Sequence, residues 1–372
     1  MNRFVNYGIV FVTFIILPSL GFAQNIIKTY YSDGTLKERY TIVLQGTDTV
    51  KHGDYVFYFQ NGKPYQSGKF KNNLLDSVWT INYSNGLLKS KYSYVMGVLN
   101  GNFSHYFDNS TMYQQGTYSY GEINDSLLTF NSDGSLAKVE VYQSNTINGK
   151  CRYYYPNGNI QEISHRTNDI PNGEYISFYE DGGINYRGIR VNNMWNGNLQ
   201  VYRKDGTLLR TVFYKDFKIN GSLVVYYENG IDTLSVTPFV HGVEQGVMKS
   251  YYLEGQIKEK VTYNSGIRDG NVTAYFPSGI LYISGQYKNN EYSGEWLIFH
   301  SNGNLKQKGS YDSGKAFGSW YYYHANGPLS SYGVYINDRR QGIWTDFSHN
   351  GDVVSRHLYV NGDMKLSNEF DY

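Results

Sequence analysis

The chain has 372 residues, and its charges nearly cancel, with Lys+Arg 33 against Asp+Glu 32. That balance argues against a nucleic-acid partner that needs a basic face. A single cysteine, Cys151, excludes an internal disulfide, while 40 Tyr point to strands, where a ring packs and its hydroxyl meets water.

Residues 1–23 carry Arg3, an apolar run from Ile9 to Leu20, and small Gly21 and Ala23. This reads as a signal peptide cleaved after Ala23, because the run is too short to span a bilayer comfortably. Gln24 follows in place of a lipidated Cys, and no later stretch is apolar enough for a transmembrane helix. The expected product is an exported protein, periplasmic, at the cell surface or secreted in a bacterium, with no transmembrane span after cleavage.

From residue 24 to residue 372 the chain reads as one array of about 13–14 copies of a single unit. Turn glycines stand at Gly34, Gly62, Gly86, Gly134, Gly158, Gly182, Gly206, Gly230, Gly255, Gly279, Gly303, Gly327 and Gly351, with Ser110 in the same place. Most steps between them are 24 residues. Before the glycine stands Asn or Asp in most copies. Four before it is an aromatic such as Tyr154, two after it an aliphatic such as Leu329, and eight after it usually a Tyr such as Tyr335. A second glycine stands nine before, as at Gly318, and is missing at Ser77 and Asp125, which marks those copies as weak links.

Each copy holds two short runs of β-forming residues around a turn signal, and nothing has helical periodicity. That is a hairpin per copy. Asn-Gly alone fits a two-residue type I′ loop. Pro156 and Pro277, two before the glycine, favour a type I turn followed by a left-handed glycine, the three-residue loop with a bulge. In that register the aromatic four before lies opposite the aliphatic two after, and this pair, with the Tyr eight after, is expected to form the core face. Lys258, Lys260, Lys306 and Lys308 alternate with it as a solvated face. The second glycine is assigned to the turn between copies. The expected fold is all-β: an elongated, twisted, single-sheet antiparallel meander of hairpin repeats, stabilised by neighbour contacts.

The segments GSWYYYHANGPLSSYGVY (Gly318 to Tyr335) and GEWLIFHSNGNLKQKGSY (Gly294 to Tyr311) carry the whole pattern. It resembles the MORN repeat, and more closely its bacterial variant form, over essentially the whole chain after residue 24. The resemblance implies a scaffold or binding module. Some bacterial members are labelled antitoxins, and some eukaryotic ones are linked to membrane lipids.

Catalysis needs unlike groups held together, and an array offers like groups in rows, so neither an enzyme nor a cofactor is expected. His300 and His324 share the slot three before the glycine, which holds Tyr227, Tyr252 and Phe276 in other copies. They read as aromatic substitutes, with no third ligand spaced for a metal. Opposite the aliphatic stripe lie this row and the row seven before the glycine, where Trp296, Trp320 and Trp344 stand and where Cys151 is read as a small buried hydrophobe. These aromatics either stack between hairpins or line a groove for an extended glycan, a peptide or a lipid surface. The expected function is therefore an exported, non-enzymatic scaffold binding a macromolecule along its aromatic face; the alternative is an antitoxin or immunity-type protein capping a specific toxin.

Overall fold

The computed structural model describes residues 25–369, so the signal-peptide reading lies outside the described residues. These hold 33 strands and no helix. They fall into two compact units: the described residues up to Ser135 with Tyr142–Asn145, and Leu136–Val141 with everything from Thr146. In each unit the strands pair antiparallel in chain order, two-residue strands such as Met194–Trp195 pairing with the strand before them, which makes a meander of hairpins.

The hairpin loop is the three-residue form. In the first copy Gly34 donates its N–H to the Tyr31 carbonyl at 3.0 Å, and Tyr31 donates to Thr35 at 2.8 Å. Gly34 is left-handed at φ +84°, the conformation that a bulge after a type I turn requires. The residue before the glycine shapes this loop through its side chain: Asp33 Oδ1 accepts from the Thr35 N–H at 2.9 Å, and Asn157 does the same for Asn159 at 3.0 Å. Asn adds what Asp cannot, since its Nδ2 donates to the next copy, as from Asn157 to the Glu180 carbonyl at 2.9 Å.

The expected pairs form, Tyr30 with Leu36 and Tyr154 with Ile160. They do not lie on the face expected of them. Beyond the loop the register slips by one, because Tyr30 faces Leu36 while Thr29 faces Glu38, which leaves Lys37 as an extra residue. One extra residue reverses the alternation of a strand. The positions four, six and eight after the glycine therefore join the slot seven before it, away from the Tyr–Leu pair. The Tyr eight after thus contacts the next tryptophan, with Tyr311 and Trp320 ring centroids 5.1 Å apart and Tyr335 and Trp344 5.0 Å apart. The densest burial follows this face: Trp79, Phe103, Leu127, Cys151, Val272, Trp320 and Trp344 all occupy the slot seven before.

The second glycine also sits elsewhere than expected. The turn between copies is a two-residue type I′ loop made by pairs such as Asn72-Asn73 (φ 52° and 64°) and Asn337-Asp338 (φ 49° and 65°), residues that tolerate positive φ. These turns are stitched together, since Asp338 donates its N–H to the Ala316 carbonyl at 3.1 Å and its Oδ1 accepts from the Ala316 N–H at 2.6 Å. The second glycine lies inside the returning strand at a bulge: Gly53 has φ +105°, and the register jumps around it from Tyr40–Tyr55 to Ile42–Lys51. Ser77 at φ 61° and Asp125 at φ 71° take the same left-handed shape without glycine's freedom.

Candidate binding face

Trp296, Trp320 and Trp344 are 7%, 2% and 1% exposed. Each lies on the backbone of a glycine eleven residues earlier. A Cβ built on Gly285, Gly309 or Gly333 would stand 2.3, 2.1 or 2.2 Å from the following tryptophan ring. Trp344 donates its indole N–H to the Val334 carbonyl at 3.3 Å, and Arg340 covers its ring at 4.3 Å. With one ring face on glycine and its edges against tyrosines, this row packs copy against copy, each ring pair contributing about 0.5–1.5 kcal/mol.

The row three before the glycine is a second structural ladder. Tyr227 and Tyr252 donate their hydroxyls to the Tyr251 and Tyr275 carbonyls of the next copy at 2.7 and 2.9 Å. His300 and His324 put Nε2 at 3.0 Å from the Tyr323 and Phe347 carbonyls, as N–H donors in the Tyr role. The His324 ring also stacks on His349 with centroids 4.0 Å apart. Phe276 has no hydroxyl and packs on Tyr282, centroids 4.8 Å apart. Four residues of strand separate this row from the tryptophans, about 13 Å, so the two rows do not converge on one groove. No three His, Cys, Asp or Glu side chains are grouped to hold a metal among the described residues.

Apart from one at the turns around Asn337 and Asn361, the accessible concavities lie on the other face, with the Tyr–Leu pairs. In the first unit a groove of about 540 Å³ is lined by Lys91, Ser104, Tyr106, Met112, Gln115 and Leu128 among others. In the second, Glu174, Arg187, Ile189, Asn198 and Gln200 line one of about 420 Å³, and Asn271, Thr273, Ser284, Gln286, Glu295 and Leu297 another of about 330 Å³. Here Lys260 lies 5.7 Å from the Tyr275 ring, and Lys308 pairs with Glu295 at 2.9 Å, which raises the lysine's pKa. Tyr321 and Tyr332 stack across strands with centroids 6.3 Å apart, and Tyr332 is 40% exposed.

Sequence reasoning found the lysines of this face but took its aromatic-aliphatic pairs for the core. The glycine eleven before each tryptophan was the available sign of where the interior lies.

The family model of the MORN repeat variant matches residues 51–72, 147–168, 244–265, 268–289 and 292–313. No curated protein matches the chain. Among solved structures, the crystal structure of TcdB2-TccC3 is similar at 12% identity over 94% of this chain and 23% of that one, TM-score 0.17. That of TcdB2-TccC3-Cdc42 is similar at 11% over 88% and 21%, TM-score 0.18. The Photorhabdus luminescens Tc holotoxin pore is similar at 10% over 92% and 24%, TM-score 0.14. The chain thus spans at most about a quarter of the length of these structures.

Proposed function

Because this chain is a MORN-variant repeat protein, we propose that it is a non-enzymatic scaffold, exported by its N-terminal segment, that binds a macromolecule along its grooved face. The observation that carries the reading is the division of labour between the faces. The tryptophan face is spent on packing, whereas the grooved face holds accessible concavities lined by cations, amides, hydroxyls and half-exposed tyrosines. The tyrosine and histidine ladder at the hairpin ends is occupied with backbone carbonyls. This moves the binding surface from the aromatic row to the opposite side of the strands, and an array of like grooves suits a long partner better than a small substrate.

A labelling experiment tests it. Cys151 is fully buried, so a cysteine placed at Gln200 or Thr273 is the one that a photo-crosslinker on a maleimide reaches. Illuminated in the native cell envelope, these probes are expected to capture one macromolecule that a probe at the hairpin-turn residue Asn229 does not. Capture equal from all three sites, or from Asn229 alone, defeats the reading.

A further inference from the structure

Near-neutral net charge conceals a strong segregation. In the second unit, cross-strand partners on the grooved face form an unbroken line at right angles to the strands, from Val139 to Asn368. Every charged residue in that line is basic: Arg152, Arg187, Lys249, Lys260, Lys308 and Arg356. No acid of this unit falls in that line; Glu174 and Glu295 flank it on this face, Glu295 pairing with Lys308 at 2.9 Å. Lys249 and Lys260 stand directly opposite each other and make no ion pair among the described residues. Like charges facing across a ladder are destabilising, and what the pair has in return is the contact of Lys260 with the Tyr275 ring at 5.7 Å.

Resting on the scaffold reading, we propose that this line is a binding track for an acidic polysaccharide, a chain of sugars bearing carboxylates. Three physical points select that chemistry. The cations are spaced three to five strands apart except for the adjacent lysines, roughly 14–24 Å at 4.8 Å per strand. That is far sparser than a duplex with one charge per about 1.7 Å demands. A peptide lying across the strands meets no free ladder groups, because the strands have paired their own N–H and C=O, and its backbone would be left unsatisfied. Between the cations stand Gln200, Thr211, Thr273, Ser284 and Thr345, which hydrogen-bond sugar hydroxyls, and the Tyr321–Tyr332 pair, which offers ring faces to sugar C–H groups.

The test is affinity electrophoresis of the chain from Gln24 onward through gels containing polygalacturonate, neutral dextran, or no polymer, at about 0.15 M salt. Polygalacturonate is expected to retard the protein, with affinity rising with polymer length, and dextran to leave it unmoved. Lys249→Ser with Lys260→Ser is expected to weaken retardation about tenfold while the thermal midpoint holds or rises, since a repulsion is removed. No retardation of the parent chain, equal retardation of the double variant, or stronger binding to phosphatidylglycerol vesicles than to polygalacturonate overturns the proposal. If the Gln200 and Thr273 crosslinkers then still capture a protein, the polysaccharide falls and the scaffold stands; if they capture nothing, both fall.

Discussion

Two stretches of the second unit fill the same slots in opposite ways. Around Trp296, Trp320 and Trp344 the residue six after the glycine is itself glycine, and the next copy's tryptophan lies flat on it. Around Cys151 and Tyr175 that residue is Glu140 or Ser164, and the partner eleven later shrinks to Cys or Tyr. The space left is filled by polar groups. Tyr153 donates to Glu140 at 3.0 Å, Lys138 pairs with Glu140 at 2.9 Å, and Tyr175 donates to Glu162. The guanidinium of Arg190 covers Tyr175 at 4.2 Å and Trp195 at 4.4 Å. The two facing slots are filled in both stretches while the chemistry changes, and the polar solution adds buried groups that must keep their partners.

The largest effect is expected in the tryptophan stretch. Trp344→Ala should cost about 3–5 kcal/mol, and Gly333→Ala about 1–3 kcal/mol by forcing the ring off the backbone. Because both act on one contact, the double variant should cost no more than Trp344→Ala alone in urea unfolding; simple additivity would show that ring and glycine do not share a site.

In the polar stretch, Tyr175→Phe should cost about 1–3 kcal/mol, since it strands the Glu162 carboxylate. Tyr335→Phe, whose hydroxyl makes a 3.5 Å contact with Tyr322 and faces Arg340 but strands no carboxylate, should cost about 0.5–1 kcal/mol. Equal losses at the two sites would erase the distinction drawn between the stretches.

Alkaline pH separates them further. Burial first, then the neighbouring carboxylate, raises the Tyr153 and Tyr175 hydroxyls well above their usual 10.0. A raised folded-state pKa contributes stability that is complete below the unfolded value and is lost as pH rises through the folded one. Phenolate absorbance should therefore rise in step with loss of strand signal above pH 10, with Glu140→Gln and Glu162→Gln lowering the pH at which the phenolates appear. Free titration of all tyrosines before unfolding would contradict the buried network.

A stabilising effect is expected in the first unit, where the bulge that both stretches build on Gly149, Gly173, Gly318 or Gly342 falls on Ser77 and Asp125. Ser77→Gly and Asp125→Gly should each stabilise it by about 1 kcal/mol. No gain in melting temperature would mean that those side chains repay their strain locally, as the Asp125 carboxylate does in part by accepting from the Ser126 N–H at 2.8 Å.

Much of this protein was legible in order along the chain. The 24-residue ruler, the hairpin per copy, the three-residue loop and the Tyr–Leu pairing are local, set by φ preferences and strand alternation within a few residues, so the sequence by itself determined them. The weakness at Ser77 and Asp125 belongs with these, since an absent glycine is visible one residue at a time. What the tertiary structure alone decided is which face is the interior. That turns on one extra residue, Lys37 in the first copy, whose bulge reverses every side chain beyond it, and on the fit of a ring in one copy to a bare backbone in the copy before. Neither follows from alternation, because a bulge changes parity without changing composition. The row of cations across the strands has the same origin: residues tens of positions apart acquire a common line only when the ladder puts them side by side.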